Sequence, residues 1–317
     1  MAQLEMDSLE EQVLQLFEEQ MIHWPMAAKN YAGLLQAQIK SVRFNESTQM
    51  RIQYNAARMK SSAAKVDDVS ISERPCFLCR KALPVEQKGV SFGEDYQILI
   101  NPYPIFPKHL TIPRTEHTPQ RIHGRIVDMM LLAKALPHFT IFYNGPNCGA
   151  SAPDHFHFQA GNKGFLPIEE IEDSEELLFS CGKTGVFSMP QYLPKSLIMQ
   201  GDDIQKIEDL FESVYNFLSN AQPDEVEPML NIICTFQDGS WRIWIFPRSK
   251  HRPHYFFKVG ASQIILSPAS VDFAGVLIVP REEDFYKLDK TIIENIFHEV
   301  TLQEEIWSQL IAFIKEL

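Results

Sequence analysis

The run His155-Phe156-His157-Phe158-Gln159, behind Gly149-Ala150-Ser151-Ala152-Pro153-Asp154, carries the residue types that nucleotidyl transfer uses. Side chains alternate between the faces of an extended strand. The spacing therefore predicts His155, His157 and Gln159 on one side and Phe156 and Phe158 on the other. The two aromatics would anchor the strand in a core while two imidazoles and an amide line a site. Gly149, Ala150 and Ser151 are small enough to let a phosphate approach the backbone. A neutral imidazole nitrogen can attack phosphorus and form a covalent nucleotidyl-enzyme, and His157 is the expected nucleophile. Its other ring nitrogen must donate to a backbone carbonyl, which fixes the tautomer. Gln159 is expected to donate an amide N–H to a non-bridging phosphate oxygen. Asn144, Ser151 and the backbone at Gly149 would add donors as charge redistributes during in-line displacement. An amide cannot titrate, so the leaving group must already be a good one, a sugar phosphate or another phosphate. That favours reversible transfer over hydrolysis.

A second constellation is Cys76-Phe77-Leu78-Cys79. Such a pair is either a redox couple or half of a zinc site, and no strand-helix-strand pattern of the thioredoxin kind surrounds it. Zinc takes four thiolate or imidazole ligands in a tetrahedron. His117 and His155 are the expected partners, with His109 the rival for His117. A structural zinc there would pin His155 and so the register of the strand that follows. Asn55 and Arg58 come just after a predicted strand and are candidates for nucleotide or phosphate contact, since guanidinium suits bidentate binding; an exposed turn is the competing reading. Arg248, Lys250, His251, Arg252 and His254 form a basic cluster that reads first as a solvated turn and second as a contact for a sugar phosphate or a partner.

These residues need a scaffold, and hydrophobic periodicity outlines one. Helical spacing runs over 9–39 with an interruption at Pro25, then over 123–135, 204–218 and 291–314. Strands are predicted at 50–54, 110–113, 139–143, 155–159 and 275–279. A hairpin spans 90–99 around Gly93-Glu94-Asp95, and another joins 230–236 to 241–246 across Gln237-Asp238-Gly239-Ser240. Residues 61–69 and 144–154 read as loops, and the acidic stretch 169–176 as a solvated loop or helix face. His109-Leu-Thr-Ile-Pro-Arg-Thr-Glu-His117 echoes Arg242-Ile-Trp-Ile-Phe-Pro-Arg-Ser-Lys-His251, each an apolar strand followed by Pro-Arg and a later His. Two related halves are the natural reading, with the chemistry kept only in the first.

Composition sets outer bounds. The 317 residues, 45% hydrophobic and 22% charged, suit one large domain or two ordinary ones in a folded soluble protein. No apolar run is long enough to span a bilayer. The acidic, amphipathic stretch from Met1 to Gln20 does not read as a secretory signal, so a cytoplasmic location is expected. A net charge of −12 argues against broad nucleic-acid binding but not against a small anionic substrate. Cys148, Cys181 and Cys234 are scattered and expected to stay reduced and inert.

The motifs carry a resemblance. Gly149 to Gln159 is similar to the active-site strand of the histidine triad superfamily, in the transferase branch where Gln stands in place of a third His. Cys76, Cys79, His117 and His155 resemble the zinc site of galactose-1-phosphate uridylyltransferases. Gln53-Tyr54-Asn55-Ala56-Ala57-Arg58, His155 to Ala160, Asn231 to Pro247 and Gly275 to Ile314 resemble segments of the GDP-L-galactose and GDP-D-glucose phosphorylases. The chain departs from those phosphorylases in its Cys pair, and from the uridylyltransferase loop by one added residue at Pro153-Asp154. The resemblance implies an α+β fold of two histidine-triad-like halves, each a mainly antiparallel sheet flanked by helices. The expected division is an N-terminal helical extension at 1–45, a catalytic half at 46–180 and a degenerate half at 181–317. It implies a nucleotidyltransferase or phosphorylase that acts on a nucleotide sugar through nucleotidyl-His157 and releases sugar 1-phosphate. A dinucleoside polyphosphate phosphorylase and a catalytically silent nucleotide-binding protein are the alternatives. Expected partners are a nucleotide or nucleotide sugar and a phosphate or sugar-phosphate acceptor. A homodimer is allowed, and neither nucleic acid nor membrane is expected.

Overall fold

Ser8 begins the first helix, α1 (Leu9–His23), in a computed structural model of the chain that describes residues 8–46, 48–56, 71, 74–171 and 175–317. Its hydroxyl accepts from the Glu11 N–H while the Glu11 carboxylate accepts from the Ser8 N–H, a reciprocal cap. Pro25 cannot continue α1 and instead opens α2 (Pro25–Leu34), where its missing N–H costs nothing. The helical reading to residue 39 runs too far, because β1 (Gln38–Arg43) starts there and pairs with β2 (Gln49–Tyr54). β13 (Val276–Val279) joins β2 in parallel to complete a three-stranded sheet.

Among the described residues the main sheet has ten antiparallel strands. From one edge they run β3 (Gly89–Phe92), β4 (Tyr96–Ile100), β5 (His109–Pro113), β7 (His157–Asn162) and β6 (Phe139–Asn144). They continue with β11 (Leu230–Gln237), β12 (Ser240–Pro247), β10 (Leu197–Gly201), β9 (Thr184–Ser188) and β8 (Glu176–Cys181). Each half repeats one plan. A hairpin and a third strand lead into a helix, α3 (Ile126–Ala135) or α4 (Ile204–Ala221). Two more strands follow, the last inserting beside the third. The halves meet where β6 pairs with β11, Asn144 opposite Asn231 and Phe142 opposite Ile233. Two related halves are therefore real, but the sequence echo aligns strands that do not correspond. It matches β5 with β12, whereas β5 corresponds to β10 and β7 to β12. Chance likeness of strand-Pro-Arg segments explains it. By pairing, Glu176–Cys181 sits with the second set of strands.

Alternation sorts each strand between two cores. On β6, Ile141 and Tyr143 enter a core closed by α1 to α4 and by the last helix, while Phe142 enters the other. The first core takes Leu16, Tyr31, Met129 and Phe211 from the four helices, all buried. The second is closed by the small sheet, by segment 264–279 and by the first of two C-terminal helices, α5 (Lys290–Val300) and α6 (Glu304–Lys315). The tail read as one helix over 291–314 breaks at Thr301. The acidic stretch 169–176 is not wholly solvated: Glu169, in the short 3-10 helix Pro167–Glu170, accepts from the Thr140 hydroxyl and the Gly164 N–H. The short strands β8 to β10 had no clear alternation and were not foreseen.

Candidate active site

Phe156 and Phe158 pack edge-on at 4.9 Å in the helix-covered core, and Tyr143 and Tyr96 close around them. That burial turns His157 and Gln159 to the other face, as the alternation required. Both border a cavity of about 750 Å³. The strand begins at His157 rather than at His155, so His155 is freed from the strand and turns toward the Cys pair instead of the cavity.

His157 is held from three directions. Its backbone N–H donates to Gln120 Oε1 at 2.7 Å, and Gln120 Nε2 donates back to the His157 carbonyl at 2.9 Å. The same amide donates to the Asn144 carbonyl at 3.0 Å, tying β7 to the end of β6. His157 Nδ1–H donates to the His155 carbonyl at 2.8 Å, which leaves Nε2 without a proton on the cavity side. Burial pushes the imidazole pKa down to about 4, so the ring is neutral near pH 7.

Gln159 is oriented by a residue that sequence reasoning placed only as a rival metal ligand. His109, fully buried, accepts the Ile105 N–H at Nδ1 (3.2 Å) and donates from Nε2 to Gln159 Oε1 (3.0 Å). With its oxygen occupied, Gln159 presents its NH2 to the cavity. His109 lies opposite Gly161, where a Cβ would meet the Phe106 ring at 2.3 Å; the absent side chain makes room for the aromatic that buttresses His109.

Asn144 obeys the same logic. Its Oδ1 accepts from Asn231 Nδ2 and from the Ser270 N–H at 2.8 Å each and from the Ser270 hydroxyl at 2.7 Å, so its NH2 is the end left for the cavity it borders. Gly149, Ala150 and Ser151 border the cavity too. Gly149 has φ +96°, and a Cβ there would meet Ala269 Cβ at 2.6 Å, so only glycine lets the loop close against segment 267–269. Arg74, which also borders the cavity, donates to the Ser151 carbonyl at 3.1 Å and lies 3.6 Å from Asp154.

Cys76, Cys79, His117 and His155 come together, their ligand atoms all within 4.8 Å of one another. His155 Nδ1 lies 3.2 Å from Cys76 Sγ and 3.5 Å from Cys79 Sγ, and His117 Nδ1 lies 3.2 Å from Cys79 Sγ. Zinc–sulfur and zinc–nitrogen bonds of tetrahedral sites set ligand atoms about 3.5 Å apart, so the spacing fits. The outer partners fit as well. His155 Nε2–H donates to the Arg114 carbonyl at 2.8 Å, which leaves Nδ1 bare toward the sulfurs, and His117 Nε2 lies 3.7 Å from the Asp154 carboxylate. His109 takes no part in this group.

Other expected site residues fall elsewhere. Asn55 is buried with its amide directed to the Pro104 carbonyl at 3.4 Å, and it does not border the cavity. It directly follows β2, where its backbone N–H donates to the Val279 carbonyl at 3.2 Å. Arg58 lies outside the described residues. The basic cluster is a solvated turn only in part: Lys250 and His254 are exposed and pair with Glu299. Arg248 is fully buried, and His251 and Arg252 border the cavity. Gln120, the clamp on His157, gave no signal in the sequence: a lone Gln in a polar loop matches no pattern.

Residues 16–162 match a family model described as a domain of unknown function, DUF4922, and residues 167–317 match one described as GDPGP1-like, C-terminal domain. GDP-L-galactose phosphorylase 2 of Arabidopsis thaliana is 26% identical over 68% of this chain and 50% of its own length. Galactose-1-phosphate uridylyltransferase of Bacillus subtilis (strain 168) is 25% identical over 49% of this chain and 33% of its own. The chain thus spans half or less of the length of these curated relatives. Yeast Ap4A phosphorylase Apa2 shares the fold, with a TM-score of 0.63 at 16% identity over 92% of this chain and 97% of that one. Two family models thus match successive parts of the chain, and its fold is the one Apa2 shows; in these respects and in its His157–Gln159 strand the chain resembles the histidine-triad-like nucleotidyltransferases.

Proposed function

We propose that the protein is a nucleotide-sugar phosphorylase or hexose-1-phosphate nucleotidyltransferase working through nucleotidyl-His157. His157 Nε2 attacks the α-phosphorus of an NDP-hexose. The P–O bond to the distal phosphate breaks, and sugar 1-phosphate leaves with the bonding electrons. Inorganic phosphate or a second sugar phosphate then attacks the same phosphorus, the P–N bond breaks, and Nε2 recovers its lone pair. Gln159 NH2 and Asn144 NH2 donate to the non-bridging oxygens as their charge grows.

The observation that carries this reading is the Nδ1–H bond from His157 to the His155 carbonyl at 2.8 Å, which presents an unprotonated Nε2 to a cavity beside an oriented amide. The sequence likeness to a GDP-L-galactose phosphorylase favours a nucleotide sugar as donor. Cys76, Cys79, His117 and His155 would hold a structural zinc, which supplies a cross-link between the Cys turn and the start of β7 and takes no part in bond making.

Incubation with an NDP-sugar labelled in the nucleotide should give a covalent adduct that discharges on adding phosphate. His157→Ala should form none and lose at least about 10³-fold in turnover, as removing a nucleophile does. Full turnover in that variant would refute the mechanism. Phosphorolysis compared across GDP-, UDP- and ADP-hexoses and diadenosine tetraphosphate names the donor.

A further inference from the structure

Double displacement imposes a geometric demand. His157 attacks in line with the leaving phosphate, and the acceptor must later attack in line with His157. Leaving group and acceptor therefore occupy one place in turn, across the α-phosphorus from His157. That place must bind the phosphate group of either, in a chain whose net charge is −12. Among the described residues, the cavity-bordering guanidinium that faces no carboxylate belongs to the second half.

Arg252 is the outstanding candidate. It borders the same cavity as His157 and Gln159, and it forms no ion pair with any carboxylate among the described residues. Arg74, the other cavity-bordering guanidinium, already faces Asp154. Arg252 is held in place by Ser267, whose Oγ accepts from its Nε at 3.3 Å, and by Phe256, whose ring centre lies 4.2 Å from the guanidinium carbon. One nitrogen is committed to Ser267, so the remaining N–H groups are available to an anion.

The segment bearing Arg252 is tied by hydrogen bonds to the chain that meets the loop 149–151. The buried Arg248 donates to the carbonyls of Lys250 and His251 at 2.9 and 2.8 Å and to the Pro268 carbonyl at 2.6 Å. Pro268 leads to Ala269, which lies against Gly149. A fully buried guanidinium without a carboxylate in contact is costly to maintain, and here it fixes the position of Arg252 relative to the loop 149–151. His251, which also borders the cavity, is held neutral by burial, its pKa pushed down to about 4, so it can accept a hydrogen bond as well as donate one.

We propose that Arg252, with His251 and Ser267 beside it, forms the subsite for a phosphate monoester or inorganic phosphate opposite His157, so that the second half of the chain completes the site of the first. The proposal rests on the phosphorylase reading for its role in turnover, but anion binding itself requires no chemistry. Two measurements test it on the full chain. The first is the thermal midpoint of wild type, Arg252→Ala and Arg252→Lys, titrated with inorganic phosphate or hexose 1-phosphate against chloride at equal ionic strength. Phosphate should raise the wild-type midpoint, leave that of Arg252→Ala where chloride leaves it, and act at higher concentration on Arg252→Lys. The second is the phosphate dependence of turnover. Arg252→Ala should raise the KM for phosphate about 10- to 100-fold, with a smaller change in kcat, and Arg252→Lys should recover part of the loss. A loss seen with hexose 1-phosphate but not with inorganic phosphate upholds the subsite and names the ester as its ligand. Equal stabilisation of wild type and Arg252→Ala by both anions overturns it. Loss of phosphate binding in Arg252→Ala, together with no nucleotidyl adduct in wild type, upholds the anion subsite and removes the covalent reading instead.

Discussion

His109 decides which end of the Gln159 amide meets the substrate. An amide is nearly symmetric in shape, so packing alone does not choose between its oxygen and its nitrogen. The choice comes from His109 Nε2–H, 3.0 Å from Gln159 Oε1, and the His109 tautomer comes in turn from the Ile105 N–H on Nδ1. His109→Phe keeps the aromatic contacts with Phe106 and Phe142 and removes both hydrogen-bonding nitrogens. The Ile105 N–H then loses its acceptor, at about 1–3 kcal/mol of stability. The Gln159 amide becomes free to turn its oxygen toward a phosphate oxygen, which repels it. The expected outcome is a fall of about 10- to 100-fold in kcat with a small change in KM for the nucleotide sugar. Single-turnover nucleotidylation of His157 checks it; an unaltered rate would show that something other than His109 orients the amide.

At the scale of elements, the site depends on where β7 begins. Residue types and strand alternation were enough to place His157 and Gln159 on the cavity face, because two adjacent aromatics on the opposite face leave them no other. The same alternation wrongly kept His155 in the strand. His155 instead ends the loop, where its Nδ1 turns to Cys76 and Cys79 and its carbonyl holds His157 Nδ1. The Cys pair was legible from its spacing. His109 and Gln120 were not, since their roles arise from partners 50 and 37 residues away. If the four-ligand group holds zinc, His155 transmits that cross-link to the start of β7. Cys79→Ser should then lower bound zinc well below one per chain and lower the thermal midpoint, by about 5 °C or more. Elemental analysis and a melting curve on the same preparation decide it: an unchanged midpoint in a zinc-depleted variant would mean that the group does not support the strand.

Across the whole molecule, the two halves share a plan but not a chemistry. The face of β7 that carries His157 and Gln159 corresponds on β12 to a face carrying Arg242, Trp244 and Phe246, and there Trp244 and Phe246 enter the second core. Helices with a clear apolar stripe and the two hairpins with turn residues were readable in advance. The correspondence of halves was not, because it resides in strand order rather than in similar residues. One buried carboxylate clips the halves together. Glu227, just before β11, accepts from the Tyr143 hydroxyl of β6 at 2.6 Å and from the Ile122 N–H ahead of α3. Burial raises its pKa from 4.5 to about 7, against the lowering effect of those donors. The folded chain therefore keeps a proton that the unfolded chain releases above about pH 4.5. The stability this contributes is fully present below that pH and is lost as pH rises through about 7. Between pH 5 and pH 8 the loss comes to about 2–3 kcal/mol. Glu227→Gln keeps the side-chain shape and cannot titrate, so its stability should lack that slope while every other titrating group remains the same. Urea unfolding of both proteins at pH 5 and pH 8 measures the difference. Parallel losses in the two would mean that Glu227 is ionised in the folded protein already at pH 5, and that its contacts with Tyr143 and Ile122 join the halves as a satisfied carboxylate.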